Sequence, residues 1–559
     1  MTDRAVRWVV VISIVCGAAL RCIEVAQAHT FGFDDTMLAL NIVTRSAARL
    51  AQPLSFQQTA PVLFLWIDRL LVDLAPGAAS VVLRLLPLAG GIAILPLTWV
   101  VGRRLVSESA AALTVALLAV SPLAVDYTDR PKPYILDAAV ALGLIGLTLW
   151  VIREPQRRRA WAILAATGAV ATLLSTPAVF TLAACGVALL IALAPATRRG
   201  GRETAWLVAL GGIWIAVELV NYLAFQRTTN HDVWLQRFWG PAFFTPTAHD
   251  LPARVRIVAS SFMENLFYGT SLRPRIALRI LVTLLAVIGA VRAWRRPGPW
   301  ALVLLVGPLV LAVLASAARV YPPSDRTWLF AAPSVALLAA SGVELLCGRL
   351  PARARRPAFI AIGLAGLFLP ARQSWLTLRA FLRPDGLGAA MRAWDAASHR
   401  GAPIYVFARD AIRWTYYTTD WAHPDTARLN WLMTADSVIG PNSGNAPTRG
   451  HAVHDEGDSL IYRGAARVEL IGIPTGMEDR MMIAADSEPD SGWADNEARR
   501  LAAAATPSIW MFFLYTKPRI DSLVIAAAER RGAQLTSANH FETVRLYHLR
   551  FNAPPAHVP

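Results

Sequence analysis

The stretch Phe31-Gly32-Phe33-Asp34-Asp35-Thr36-Met37-Leu38-Ala39-Leu40 follows an apolar run from Val6 to Ala26. A run of that length is enough to cross a hydrocarbon core about 30 Å thick. The chain therefore opens on a membrane-spanning helix. It then sets two adjacent carboxylates at the start of an amphipathic segment. Carboxylates near a membrane are costly to desolvate unless something pairs or uses them. Asp34 and Asp35 are read as a candidate catalytic base and its neighbour. The competing reading is a solvated helix start, with Asp35 capping a helix that begins near Thr36.

The rest of the composition extends the membrane reading. Of 559 residues, 55% are hydrophobic and 16% charged, with a mean hydropathy of +0.43. Soluble domains carry roughly a quarter charged residues. Apolar runs recur at 6–26, 80–102, 108–125, 134–152, 160–174, 176–195, 204–225, 276–294, 299–318, 327–347 and 357–371, which predicts eleven spans. The fold class expected is an α-helical polytopic membrane protein, with about 11 transmembrane helices plus interfacial ones and a C-terminal extracytoplasmic α/β domain. The division expected is 1–382 and 383–559.

The net charge of +16 is not a nucleic-acid signal. Arg4 and Arg7, Arg103 and Arg104, Arg157 to Arg159, Arg198 and Arg199, Arg295 and Arg296, and Arg353 to Arg356 all fall in alternate loops. That alternation follows the positive-inside rule and puts the N-terminus in the cytoplasm. An odd number of spans then puts the C-terminus outside, in a bacterial-type cytoplasmic membrane. The four cysteines lie in or beside spans, so no disulfide framework supports the C-terminal segment. Arg4 and Arg7, the apolar run and Ala26-Gln27-Ala28 resemble a signal peptide. Arg21 and Glu24 interrupt that pattern, which favours an uncleaved anchor.

In the first external loop, 34–50 and 61–74 carry apolar residues at helical spacing and read as helices lying in the interface plane. The loop 226–275 is rich in aromatics, as expected of a membrane-interface belt. Beyond residue 383, strands are expected at 403–407, 508–515 and 544–549. Helices are expected through Trp414 to Thr418 and over 520–531, and a loop at 436–460.

Basic side chains at the outer face are the second chemical feature. Of 54 basic residues only Lys132 and Lys517 are lysines. Lys132 lies in Tyr127-Thr128-Asp129-Arg130-Pro131-Lys132-Pro133-Tyr134, one turn before Asp137. A Lys is a compact point charge suited to a phosphate oxygen. Snorkelling to the interface, or pairing with Asp137, are its structural alternatives. Arg319, Asp325 and Arg326, around Tyr321, form a third set in a loop where topology needs no positive charge. Two arginines there suggest anion binding. Gln58 precedes Pro61, a good helix starter.

These residues also resemble a family. Phe33 to Ile42, Gln58 to Leu65, Tyr127 to Asp137 and Arg326 to Pro333 occur in the order of the motifs of the GT-C superfamily of membrane glycosyltransferases. The chain is most similar to the family 39 type, which includes protein O-mannosyltransferases and lipid A aminoarabinose transferases. The resemblance covers roughly 1–350. It implies an inverting transfer of a sugar from a polyprenyl-phosphate donor to an extracytoplasmic acceptor, whether lipid, glycan or protein. It assigns the general base to Asp34, with Asp35 where the family usually has Glu. It gives the donor phosphate to Lys132, Arg326, Arg319 and Tyr134, and a place lining the substrate cavity to Gln58, Asp137 and Tyr321. A divalent metal on the acidic pair is left open, because adjacent acids alone are a weak metal signal and no His-rich cluster accompanies them. The rival reading is a transporter or flippase of a lipid-linked glycan. Transporters show inverted repeats and charges at mid-membrane depth. Here the charges gather at one surface.

Overall fold

Helices occupy most of each of the eleven apolar runs. The computed structural model describes residues 3–194, 201–227, 233–240, 242–244, 276–322, 324, 326–381, 386–397, 404–424, 459–463, 468–472, 491–503, 507–514, 518–541 and 544–551. Most of the aromatic loop 226–275, and Asp325, lie outside them. Among the described residues seven helices are long and apolar enough to cross a membrane: Arg4–Ala26, Pro76–Leu105, Tyr134–Arg153, Arg202–Gln226, Pro299–Ala317, Leu329–Cys347 and Ala352–Arg379. Glu108–Ala119 and Ala178–Ala192 are apolar but shorter. The first of these stops early because Pro122 opens a separate short helix, Pro122–Asp126. A residue near a following proline is biased away from helical backbone.

Contacts divide the chain into two units. One comprises Met1–Ala28, Ser46–Gln52 and Thr59–Leu382. Its core threads the helices Leu85–Leu105, Glu108–Ala119, Tyr134–Arg153, Ala178–Ala192 and Pro299–Ala317, through residues such as Ile94, Val115, Leu142, Leu182 and Leu304. Arg21, fully buried in the first helix, donates to the carbonyls of Leu118 (2.9 Å) and Ala119 (3.1 Å). It thereby satisfies acceptors that the end of Glu108–Ala119 leaves open. That contact explains an arginine inside an apolar run.

The other unit gathers His29–Arg45, Pro53–Gln58 and Arg383–Pro559. The acidic helix of the first loop thus packs with the C-terminal portion of the chain. The sheet of this unit has the order β2-β3-β1-β4-β6-β5, from β1 (Ile404–Phe407), β2 (Ser459–Arg463), β3 (Val468–Gly472), β4 (Ser508–Leu514), β5 (Ala533–Phe541) and β6 (Val544–Phe551). β1 runs parallel to β3 and β4, and β4–β6–β5 are antiparallel. Tyr405, Ile509, Met511, Phe513 and Val524 fill a core between sheet and helix.

The helix expected over 34–50 is broken. It runs Phe33–Thr44, and a second turn of helix, Ala47–Leu50, follows. Arg45 is extended, and its guanidinium donates to the Pro53 carbonyl at 2.9 Å and Ser55 Oγ at 2.7 Å. The Ser46 side chain caps the new helix at the Arg49 amide.

Candidate active site

The acidic helix starts on Gly32, not on Asp35. Gly32 is its N-cap, and Asp34 and Asp35 both fall in the first turn. The expected capping role of Asp35 is therefore replaced by a place inside the helix. A Cβ on Gly32 would stand 2.9 Å from Asp35 Oδ2, so a larger residue there would push that carboxylate aside. The helix N-terminus carries partial positive charge, which favours negative charge in its first turn. Asp35 is buried and Asp34 half-buried. The amide of Gln58 donates from Nε2 to Asp34 Oδ1 at 3.0 Å and to the Phe56 carbonyl at 3.3 Å.

Gln58 reaches Asp34 from an unusual turn. Phe56 (φ 60°) and Gln57 (φ 44°) are both left-handed, a conformation that non-glycine residues hold at a cost of order 1–3 kcal/mol each. Asn41 fixes the turn from the helix side: it donates to the Ser55 carbonyl (3.1 Å) and accepts from the Ser55 amide (2.9 Å). Gln57 is buried, and neither of its amide atoms has a hydrogen-bond partner. Such strain concentrates at functional sites.

The cationic residues belong to the helical unit. Lys132 is 4% exposed, so it does not snorkel outward. Its loop closes through the Lys132 amide on the Arg130 carbonyl at 2.7 Å. The loop seats on Gly90-Gly91: a Cβ on Gly91 would run into Thr128 Oγ1, and one on Gly90 would lie 2.9 Å from Leu136 Cα. Behind it, Arg84 Nε pairs with Asp129 Oδ1 at 2.6 Å in a buried site. Tyr134 opens the span Tyr134–Arg153, edge-on to Tyr127 at 5.3 Å.

Arg326 joins this group. Its Cζ lies 5.8 Å from the Tyr134 ring centroid and 5.3 Å from that of Trp239. Guanidinium on aromatic faces is favourable and holds the fork in a fixed plane. A small turn presents it: Thr327 Oγ1 donates to the Pro322 carbonyl at 2.6 Å, and the Tyr321 hydroxyl to the Thr327 carbonyl at 2.7 Å. Burial, and then the charge of Asp137, hold the Tyr321 phenol well above its ordinary pKa. Tyr321 therefore acts as a neutral donor. Asp137 is buried one turn into its helix, with Oδ1 unpartnered. Arg319 has a φ of 59°, its Cζ stands 5.7 Å from the Phe243 ring and its carbonyl accepts from Gln236.

Trp239, Thr327 and Asn41 were not among the sequence candidates. A lone Trp in an aromatic loop and two neutral polar residues give no pattern to read. Among the described residues no group of three or more His, Cys, Asp or Glu is placed to hold a metal ion.

No family model and no curated protein matches this sequence. Solved structures align over nearly all of it. The Archaeoglobus fulgidus oligosaccharyltransferase, in complex with Zn and sulfate, aligns with 97% of this chain and 88% of its own at 12% identity and a TM-score of 0.45. ArnT from Cupriavidus metallidurans bound to undecaprenyl phosphate aligns over 98% of each chain at 12% identity and a TM-score of 0.44. In the apo state it aligns over 99% of each at 13% identity and a TM-score of 0.48. The chain is similar to these proteins.

Proposed function

We propose that this protein is an inverting glycosyltransferase that moves a sugar from a polyprenyl-phosphate donor to an acceptor outside the cytoplasmic membrane. The observation that supports it most is Asp34, a carboxylate in the first turn of a helix with Gln58 donating to it at 3.0 Å. In that reading Asp34 takes the proton of an acceptor hydroxyl. The hydroxyl oxygen bonds to the anomeric carbon from the face opposite the phosphate. The bond from that carbon to the phosphate oxygen breaks, and the electron pair leaves with the phosphate. Lys132 and Arg326 stabilise the charge that gathers there. A phosphate is already a good leaving group, so no protonating acid is required. Tyr134 and Trp239 keep the Arg326 guanidinium in plane. Asp35 orients its neighbour, and Asp137, Tyr321 and Gln58 line the substrate space.

In the proposed topology the N-terminus is cytoplasmic, and residues 383–559 form an extracytoplasmic domain attached to a transmembrane transferase portion. Reporter fusions at residues 156, 200 and 353 then read cytoplasmic, and fusions at 130 and 480 external. The direct test is transfer of labelled sugar from a polyprenyl phosphate in membranes containing the protein, with release of polyprenyl phosphate. Export of the intact lipid-linked sugar, without cleavage, would point to a transporter.

A further inference from the structure

We propose that the C-terminal domain is a working part of the active site, with Tyr417 as a positioning residue for the acidic helix. The inference rests on the reading of Asp34 as the base. The acidic helix and the helix Ala408–Thr418 lie in the same unit. The Phe31 amide donates to Tyr417 Oη at 2.5 Å, a bond across 386 residues of sequence. Phe31 stands three residues before Asp34. Its ring is buried, 5.7 Å from the Tyr416 ring and 6.4 Å from that of Tyr417. Trp421 completes the cluster, 5.4 Å from Tyr416.

Both sides of this contact are fixed. On one side Thr36 returns to Gly32: its amide donates to the Gly32 carbonyl at 2.9 Å and its hydroxyl at 2.8 Å. Phe31 and the turn carrying both acids are therefore one rigid piece. On the other side Trp414, one turn before Tyr417, is buried against Phe512 of β4 (4.9 Å) and Trp394 (5.2 Å). The sheet thus reaches the first turn of the acidic helix through Trp414, Tyr417 and Phe31. An amide at a helix entry needs a partner when it is buried, and an external loop of a membrane enzyme could have supplied one locally. Here a distant domain supplies it. Misplacement of a catalytic group by about 1 Å costs up to about 10²-fold in rate, so a contact that sets the entry of the helix sets the base.

Tyr417→Phe removes one oxygen and keeps the ring stack. The expected result has three parts: kcat down by roughly tenfold or more, unchanged affinity for polyprenyl phosphate, and faster amide hydrogen exchange confined to residues 31–36. A structural role alone would instead lower thermal stability and spread the faster exchange over the sheet. Unchanged exchange at 31–36, or unchanged kcat, overturns the proposal. Asp34→Asn in the same assay separates the two readings. If Asp34→Asn turns over normally, the base assignment fails, and the positioning role with it. If it is inactive while Tyr417→Phe matches wild type, only the positioning role fails.

Discussion

The acidic helix and the cationic loops are held by a different balance of contacts. Around Asp34 and Asp35 the structure uses hydrogen bonds and a left-handed turn: Gln58 on Asp34, Asn41 on Ser55, Tyr417 on Phe31. Around Lys132 and Arg326 it adds burial and ring faces, those of Tyr134 and Trp239 on Arg326, to a small turn tied by Thr327 and Tyr321. The difference matches the chemistry proposed for each. A base must be aimed at one proton, and hydrogen bonds are directional. A phosphate spreads its charge over several oxygens, and cations held in an apolar surrounding act on all of them with little screening.

Breaking the first region should have the larger effect. Asp34→Asn keeps size and removes basicity, so turnover in the transfer assay should fall by about 10²-fold or more, while binding of polyprenyl phosphate survives. Near-normal turnover would leave Asp34 as part of the helix start only. The second region should fail in the other parameter. Lys132→Met or Arg326→Met should weaken polyprenyl phosphate binding by about ten- to a hundredfold, since a charge-assisted contact is worth roughly 1.5–3 kcal/mol. Arg326→Lys should recover little of it, because an ammonium lacks the planar fork that Tyr134 and Trp239 hold. Equal affinity in all three would remove the phosphate from this region.

Smaller effects sharpen the contrast. Asp35→Asn should be milder than Asp34→Asn if Asp35 only orients its neighbour, and equally severe if both carboxylates are needed. Asp68 supplies a carboxylate of the opposite kind. It lies in the next helix, Val62–Leu74, fully buried with both oxygens unpartnered, and burial holds its pKa well above the ordinary value. A carboxyl that binds its proton more tightly when folded makes stability fall as pH rises above the unfolded pKa, near 4. The fall continues until the folded value is reached. Asp68→Asn should flatten that slope in a thermal-melt series from pH 4 to 7. An unchanged slope would show that Asp68 is ionised where it sits.

Much of the helical unit was legible because a span needs a long apolar run and lipid allows little else. The break at Val120 to Pro122 and the bend at Arg45 were harder to foresee, since they depend on one proline, one capping serine and one guanidinium. In the C-terminal portion β1, β4 and β6 were legible as apolar runs. β5 was not: as an edge strand, with Gln534, Thr536 and Asn539 exposed, it has no apolar alternation to detect. The acidic pair, Lys132 and Arg326 could be singled out by charge. What holds them could not, because Tyr417 and Trp239 are ordinary residues whose partners lie far away in sequence, and Thr327 is a neutral residue in a short turn.

In the proposed mechanism one region moves the proton and the other holds the phosphate. Equilibrium binding of polyprenyl phosphate and single-turnover transfer, measured on the same preparations of Asp34→Asn and Lys132→Met, test it most directly. Asp34→Asn should bind like wild type and transfer about 10²-fold more slowly, or slower still. Lys132→Met should bind about ten- to a hundredfold more weakly. If Asp34→Asn loses affinity as much as Lys132→Met does, or transfers at the wild-type rate, the division of labour is wrong.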